Sequence, residues 1–554
     1  MINMPTVVFN KRALFSLIKD INESLLLEII KDFKGEIKSI SEDEITIELE
    51  PDRPDLFSIF GFSRAIRSYI NATSCLHKII KREIPYSGIT VEIIQAKIRP
   101  FIACAIVKNV NLNYDTIKDL MNLQEMLHNT VGRDRKKVAI GIHDLDRISP
   151  PIIYTEVSPK LKMIPLGIHE ELSLEEILKK HEKGIKYAHL VGDQLCPVYI
   201  DKIGIFSFPP IINSSRTKVT IDTKNLFIEL TGTDKRSVEQ TLNVMLADFI
   251  DMDGIIESVQ IRNNNLTVIS PDLHPRRITV DLKSINDLLG LNLQIDAVAS
   301  LLQKMMYEVE TASNSELKVL VPPYRVDVLH KVDIIEDVAI AYGYNNLKPE
   351  LPNIATIGRE AEMERKESRI REALIGLGFQ EVLTFTLTSE RKQSQLMNLV
   401  NVELVRIENP ISDEHCVYRR WIIPNLLDFL SLNKHRKYPQ KIFEIGYVSY
   451  PTDINIVVGR AVSAAIASSD ISFADIKGVY ETLNRLLCLN TKLIRKNHSS
   501  FIQGRSAAIM LDDYEIGVLG EIHPSILNNF NIGVPVVALE FIHYYPKYCN
   551  SVIL

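Results

Sequence analysis

Paired cysteines, phosphate-binding loops and membrane-length apolar runs are all missing from this chain of 554 residues. Its six cysteines, Cys75, Cys104, Cys196, Cys416, Cys488 and Cys549, form no C-x-x-C pair and have no histidine at zinc-finger spacing. That excludes the common structural zinc sites and fits a reduced, cytoplasmic setting. No apolar run reaches the roughly 18 residues that a membrane helix needs, and the start, MINMPTVVFNKR, lacks the basic-then-apolar order of a secretory signal. Neither a membrane span nor a signal peptide is therefore expected. No G-x-x-x-x-G-K-[ST], no strand followed by G-x-G-x-x-G, no H-E-x-x-H and no G-x-S-x-G occurs, which weakens the standard nucleotide-loop, zinc-protease and serine-hydrolase readings.

An excess of positive charge is lacking too. The 64 Lys+Arg stand against 70 Asp+Glu, a net charge of −6, so the chain does not coat nucleic acid by charge alone. Any such contact is local, and two stretches offer it: residues 132–137 (GRDRKK) and 433–441 (NKHRKYPQK). Each also reads as ordinary solvated loop charge. The 13 histidines are scattered; His143 in GIHDLD and His523 in GEIHP are acid/base candidates, although a lone histidine is more often structural.

With 46% hydrophobic and 24% charged residues, the composition is that of an ordinary folded protein, and the length calls for about three to five domains. Residues 1–80 read as a small α+β unit: PTVVFN as strand, KRALFSLIKDINESLLLEIIKDF as helix, EIKSISEDEITIELE as two strands, then a helix that Asp55 can cap. Residues 85–268 are strand-rich, with IACAIVKNV, KVAIGIHDL, PVYIDKIGIFSFPPIIN and KVTIDTKNLFIELTGTD separated by proline and glycine, and with helices in LSLEEILKKH and SVEQTLNVMLADFI. Residues 269–350 begin with the strand RRITVD, followed by SINDLLG and QIDAVASLLQKMMY, helices parted by Gly290 in a helix-turn-helix-like pattern. After a proline-bearing linker at about 346–360, residues 355–554 combine a long helix with strand signals such as EVLTFTLT, QKIFEIGYVSY and VPVVALEFI, an α+β domain with a mainly antiparallel sheet.

The run RVDVLHKVDIIEDVAIAYGYN, residues 325–345, poses its own question. A helix from about Val328 puts Val328, Val332, Ile335, Val338, Ala339 and Tyr342 on one apolar stripe and ends at Gly343. Asp333, Glu336 and Asp337 share a neighbouring face, and Asp327 suits the N-cap or preceding loop. Hard oxygens suit Mg²⁺ better than zinc, yet Mg²⁺ takes only one or two protein carboxylates, and acids near a helix start need no metal. Both readings stay open on the residues alone.

Taken in order, DRPDLFSIFGFSRAIRSY, LQEMLHNTVGRDRKKVAIGIHDLD, FSFPPIINSSRTKV, LFIELTGTD, VPPYRVDVLHKVDIIEDVAIAYGYNN and NKHRKYPQKIFEIG resemble the beta subunit of phenylalanyl-tRNA synthetase, archaeal and eukaryotic type. The resemblance spans most of the chain; HCVYRRWIIPNLL, with Arg419 and Trp421, follows the family's pattern only loosely. It implies an α+β multidomain chain with a strand-rich editing domain, a winged-helix-like middle domain and a C-terminal class II synthetase-like domain without catalysis. It further implies an α2β2 complex with a catalytic alpha subunit that charges tRNA(Phe) with phenylalanine using ATP. A Mg²⁺ at the alpha/beta boundary, on Asp327, Asp333, Glu336 and Asp337, is part of the same implication.

The residues agree on the lost catalysis. KIFEIG has Phe443 and Glu444 but no arginine between Ile442 and Gly446, and GVLGEIHPSIL has none either; phosphate transfer needs such cations, so this chain alone is not expected to adenylate. For residues 85–268 the resemblance implies hydrolysis of tyrosine wrongly attached to tRNA(Phe). An apolar pocket built for phenylalanine rejects an added hydroxyl only by roughly 10²-fold, so a second site must read it. The polar residues of the most motif-like strands are Ser207, Asn213, Thr217, Glu229, Thr231 and Thr233, with Glu229 the candidate acceptor for the tyrosine hydroxyl. Strand alternation alone also allows Glu229 to face outward. Two other functions compete: a stand-alone deacylase of mischarged tRNA, and a noncatalytic RNA-binding scaffold.

Overall fold

In TVVFN, Val7 and Phe9 are buried and their neighbours exposed, the period of a one-sided strand. This β1 (Thr6–Asn10) pairs antiparallel with β3 (Glu44–Glu48), which also pairs with β2 (Glu36–Ile40). The run expected as one helix is two, α1 (Lys11–Ile18) and α2 (Glu23–Asp32). Lys19 turns left-handed at φ 58°, and Asn22 Oδ1 accepts from the Leu25 N–H at 2.8 Å; a capping side chain inside an apolar pattern overrides its periodicity. At α3 (Ile59–Asn71) the capping oxygen is that of Ser58, which accepts from the Gly61 N–H at 2.9 Å. Asp55 is drawn away by Arg53, 2.8 Å distant.

The computed structural model describes residues 4–19, 21–71, 83–192, 194–263, 266–313, 315–452 and 455–544, and the chain divides into two units, Met1–Leu351 and Pro352–Leu554. The expected end of the first module near residue 80, like Cys75 and Cys549, lies outside the described residues; the other four cysteines are free thiols. Among the described residues no helix is long and apolar enough to cross a membrane.

The second stretch supplies β4 (Tyr86–Ile93), β5 (Phe101–Lys108), α4 (Tyr114–Asn129), β6 (Val138–Asp144), β7 (Ile152–Val157), β8 (Lys162–Met163) and β9 (Leu172–Ser173). It continues with α5 (Leu174–Lys180), α6 (Glu182–Tyr187), β10 (Cys196–Ile200), β11 (Ile205–Phe208), β12 (Ile212–Asn213), β13 (Asn225–Gly232), α7 (Lys235–Asp251), β14 (Ile255–Asn263) and β15 (Leu266–Ser270). Its main sheet has ten strands in the order β12-β11-β10-β7-β4-β14-β5-β13-β6, with β15 on β14. β13 is buried on both faces: Leu226, Ile228 and Leu230 belong to the core beneath α7, and Phe227 packs with Tyr154, Tyr199 and Phe206 on the other side. A strand covered on both sides reads as a continuous apolar run, which is why LFIEL shows so little alternation.

The third stretch holds β16 (Arg276–Asp281), α8 (Leu282–Leu289), α9 (Ile295–Lys304), β17 (Glu308–Ser313), β18 (Glu316–Val321) and α10 (Lys331–Tyr342). Gly290, left-handed at φ 66°, ends α8 and permits the turn into α9; the three strands pair in the order β16-β18-β17. One apolar core runs from Phe9 and Phe62 through Leu242 to Leu302 and Ile334. Inside it Arg64, 1% exposed, reaches Asp251 at 2.5 Å and lies 4.3 Å over the Tyr324 ring, so a buried charge ties α3, α7 and the loop before α10 together.

Residues 347–361, where the two units meet in sequence, carry neither helix nor strand, as expected of a linker. α11 (Glu362–Gly376) follows, then β19 (Gln380–Glu381), β20 (Leu387–Thr388), α12 (Glu390–Gln393), β21 (Val417–Tyr418) and α13 (Ile423–Leu432). EVLTFTLT, expected as a strand, contributes only the short β19 and β20 at its ends, paired with β22 and β21; Leu383 and Phe385 between them are 88% and 78% exposed. β22 (Gln440–Pro451), β23 (Ile456–Ala467), α14 (Phe473–Leu487), β24 (Thr491–Arg495), β25 (Phe501–Leu511), β26 (Tyr514–Ile522), α15 (Pro524–Asn529) and β27 (Val536–Tyr544) complete the second unit. Its seven-stranded sheet runs β19-β22-β23-β27-β26-β25-β24, antiparallel except at β19. The whole is a multidomain α+β chain with strand-rich sheets.

Truncating Arg64 leaves Asp251 and Asp248 in the core without their cation. Arg64→Ala is expected to destabilise the first unit by about 3–5 kcal/mol, read as a lower unfolding midpoint; an unshifted midpoint would mean that the pair is dispensable.

Candidate functional site

A cleft of about 1010 Å³ opens between α4, β6, the β11–β12 hairpin and α6. Its walls are largely apolar, from Leu120, Ile140, Phe208 and Ile212, and its polar residues gather at two ends. At one end stands Glu229. On β13 it lies opposite Cys104 of β5 and Gly141 of β6, and its side chain is only 2% exposed. The reading of Glu229 as an outward strand residue is therefore wrong, because this sheet has a covered second face.

Ser207 Oγ donates to Glu229 Oε1 at 2.8 Å. His143 stands with Nε2 3.8 Å from the same oxygen and Nδ1 2.9 Å from Thr217 Oγ1. Neither Glu229 Oε2 nor His143 Nε2 has a hydrogen-bond partner among the described residues, an uncommon cost for buried polar atoms. Burial pushes the Glu229 carboxyl above its ordinary value, against the opposing pull of His143, Ser207 and Arg99. Asn213 Nδ2 donates to the Ile142 carbonyl at 3.3 Å. Gly141 is required here: a Cβ on it would overlap Glu229 Oε1 and crowd His143 Nε2. Ser207 bonds the carboxyl and not the histidine, so no Ser–His pair is formed. The arrangement leaves one carboxyl oxygen and one imidazole nitrogen without a partner among the described residues beside the cleft.

Of the six residues expected in this pocket, Ser207, Asn213, Thr217 and Glu229 line it. Thr231 does not: its Oγ accepts from Arg99 Nε at 2.9 Å, two residues further along the strand. Thr233 lies past the end of β13, exposed, with its hydroxyl on the Lys136 carbonyl. His143 does not line the cleft: its fully buried ring stands behind Thr217 and Glu229 and contacts both, whereas His523 caps α15. Glu125, His128, Arg135 and Lys183 form the other polar end and were not singled out; GRDRKK held the signal, as a basic surface stretch. The second basic stretch does stay on the surface, with Lys434, His435, Arg436 and Lys437 exposed.

The acidic run behaves differently from expectation. α10 starts at Lys331 with His330 as its N-cap, later than Val328; Asp333 reaches back to accept from the Leu329 and His330 N–H groups, both at 2.7 Å. Val332 is 47% exposed, and the buried stripe runs through Ile334, Ile335, Val338 and Ala339 instead. Asp327 is not the cap: it pairs with Arg325 at 2.7 Å, and against the effect of burial that guanidinium holds its carboxyl down to about 2. Asp337 is buried between Arg325, 2.6 Å away, and the Tyr307 hydroxyl. Glu336 meets Lys34 at 2.7 Å. All four acids nevertheless line one cleft of about 620 Å³, with Glu50 and Asp52. No group of three or more His, Cys, Asp or Glu among the described residues is set to hold a metal. Oxygen donors suit Mg²⁺, which takes only one or two carboxylates; Asp333 and Glu336, the more accessible pair, fit that demand, and Asp327 and Asp337 do not.

In the second unit Arg419, 2% exposed, donates to Glu444 at 2.6 Å and to Thr384 at 2.9 Å. Its guanidinium fills the space above Gly446, where a Cβ would overlap it. The cation nearest the FEIG strand is thus locked inside and neutralised. Glu540, raised to about 7 by burial, accepts from the Ile422 and Ile423 N–H groups beside it.

Three family models match. The phenylalanyl tRNA synthetase beta chain CLM domain covers residues 347–542, the tRNA synthetase B5 domain 278–344 and the B3/4 domain 102–246. Modules of this kind define the class, an aminoacyl-tRNA synthetase chain. The phenylalanine–tRNA ligase beta subunit of Methanococcus aeolicus is 40% identical over 557 residues, covering 97% of this chain and 99% of that one. That of Pyrococcus abyssi is 40% identical over 499 residues, 89% of each. The crystal structure of an N-terminal fragment of the phenylalanyl-tRNA synthetase beta subunit from Pyrococcus horikoshii is 39% identical with a TM-score of 0.58, covering 61% of this chain and all of the fragment, 100%. The chain belongs to the phenylalanine–tRNA ligase beta subunit family, and so to a ligase complex.

Because Glu229 has a folded pKa above its ordinary 4.5, the folded state keeps a proton that the unfolded state releases there. Its contribution to stability is greatest at low pH and declines as pH rises from about 4.5 through the folded value. Glu229→Gln should remove that part of the slope, at most about 1.4 kcal/mol per pH unit. Unfolding curves against pH that superimpose for the two proteins would contradict a carboxyl whose pKa burial raises.

Proposed function

We propose that this chain pairs with a catalytic alpha subunit as α2β2, supports ATP-dependent charging of tRNA(Phe) with phenylalanine in the cytoplasm, and itself removes tyrosine wrongly attached to that tRNA. The observation that carries the second activity is Glu229: a buried carboxyl with an unpartnered oxygen at the end of an apolar cleft. A phenyl ring fits such walls, and only a phenol offers that oxygen a hydrogen bond. Discrimination of this kind reaches about 10⁴-fold where a site is built to bond the hydroxyl. His143 would position the water or share the hydroxyl, and Asn213 and Thr217 would fix the neighbouring groups.

The four-module division at 1–80, 85–268, 269–350 and 355–554 belongs to this reading. Support for a winged-helix-like third module comes from α8 and α9 about Gly290, followed by the β17–β18 hairpin. The inactive class II-like reading of the last module is supported by its antiparallel sheet and by the neutralised Arg419. Stand-alone deacylase and RNA-binding scaffold are the competing functions. Size exclusion with the alpha chain, followed by deacylation assays on Tyr-tRNA(Phe), separates them. The complex should deacylate, and Glu229→Ala should slow it by about 10- to 100-fold. Unchanged deacylation by that variant would remove the pocket assignment; full activity of a stable lone chain would remove the obligate partner.

We further propose that Mg²⁺ binds the acidic cleft through Asp333 and Glu336, with Asp327 and Asp337 holding Arg325 behind them. Lys34 then has to leave Glu336, and Glu50, 3.8 Å away, is there to receive it. Calorimetry with Mg²⁺ should show Lys34→Ala binding more tightly and Glu336→Gln more weakly than the parent chain. Equal affinities in all three would mean that the metal, if bound, sits elsewhere.

A further inference from the structure

The outer end of the cleft has more hydrogen-bond donors than the chain uses. Arg133, Asp134 and Arg135 are three consecutive non-glycine residues in the left-handed region, at φ 47°, 55° and 64°, a conformation that costs of order 1 kcal/mol at each and persists only where the surroundings hold it. That turn sends Arg135 inward, to 5% exposure. Its Nη1 donates to the Pro210 and Ile211 carbonyls at 3.0 and 3.1 Å, and its face covers the Tyr187 ring at 4.6 Å. The guanidinium is therefore fixed to two walls of the cleft. One oxygen, Glu125 Oε1, collects Arg135 Nη2 at 2.7 Å, His128 Nδ1 at 3.5 Å and Lys183 Nζ at 4.0 Å.

Those donors are not satisfied by it. His128 Nε2 accepts from the Ile140 N–H at 2.9 Å, which assigns the ring proton to Nδ1, yet Nδ1 has no hydrogen bond, and neither has Arg135 Nε. Both side chains are more than nine-tenths buried. Arg135 and Lys183 share the Glu125 carboxylate, and burial together with the nearby Arg135 lowers the Lys183 pKa against the pull of Glu125 and Glu182. Glu125 itself sits on the surface side of α4 with 46% of its side chain exposed, so it can rotate into solvent without disturbing the core.

Resting on the reading of this cleft as the seat of an aminoacyl-tRNA end, we propose that Arg135, His128 and Lys183 form an anion subsite, with the Glu125 carboxylate as its resident occupant and an incoming oxyanion as its ligand. A phosphodiester of the RNA 3′ end and the carboxylate of the released amino acid share that chemistry. In either case Glu125 yields its place, the ligand oxygen takes the three donors, and the apolar walls carry the side chain toward Glu229.

The test uses the full chain, titrated calorimetrically at low salt with the 3′-terminal trinucleotide CCA, with tyrosine, and with tyrosinol, which lacks the carboxylate. Lys183→Ala should weaken the subsite's ligand by about tenfold, and Glu125→Gln should tighten the same ligand by removing its competitor. Lys183 is exposed and Glu125 half-buried at the rim of α4, and Glu125→Gln keeps the side chain's shape, so neither variant threatens folding. Shifts confined to CCA support the subsite with phosphate as its anion; shifts in tyrosine but not tyrosinol support it with the carboxylate. Parent-like affinities for every ligand in both variants overturn the subsite alone. A parent chain that binds none of the three overturns it together with the reading of the cleft.

Discussion

Placing a carboxyl group inside a fully paired strand with no lysine or arginine in contact among the described residues is the constraint on which the first unit's site depends. Glu229 has ladder partners on both sides of β13, so its backbone cannot retreat from the cleft. Its side chain is accommodated because Gly141 has no Cβ and because Ser207, on the neighbouring hairpin, donates to one oxygen. The apolar face formed by Phe206, Tyr199 and Phe227 excludes water that could otherwise solvate the group. Burial raises the cost of ionising Glu229 while Ser207 offsets part of it, and the second carboxyl oxygen is left without a partner among the described residues.

Buried charge elsewhere in the chain is handled in the opposite way. Arg64, Arg325 and Arg419 are each almost wholly buried and each meets a carboxylate within 2.5 to 2.7 Å. Such pairs roughly break even against apolar replacements but are expensive to break. They hold segments in register and offer nothing to a ligand. The difference between structure and site in this molecule is one of compensation. Where the opposite charge is supplied internally, the group is mechanical; where it is withheld at Glu229, or supplied in excess beside Glu125, the cleft is chemically open.

The sequence made most of the fold legible, and its failures have local causes. Period-two and period-3.6 patterns located the strands and helices of the strand-rich stretch, but one capping asparagine at position 22 split a helix that periodicity alone would join. EVLTFTLT had strand composition, but only its two ends are paired, with β22 and β21. In the pocket, four of the six chosen residues came together because they sit where β11, β12, the turn after it and β13 face the cleft; Thr231 and Thr233 follow too far along the same strand. Arg135 was hidden for a different reason, since only a run of left-handed backbone turns that basic stretch inward. The acids of residues 325–345 were visible, whereas the buried pairing of two of them with Arg325 leaves no pattern in the sequence.

Direct binding of tyrosine and phenylalanine to the full chain is the measurement closest to the central claim that Glu229 reads a phenolic hydroxyl. Titration of each amino acid into the parent protein and into Glu229→Ala isolates the one oxygen atom that distinguishes the ligands. The account predicts that the parent favours tyrosine by at least about a hundredfold and that the variant loses the preference. Equal affinities in the parent, or a tyrosine preference that survives the substitution, would contradict it.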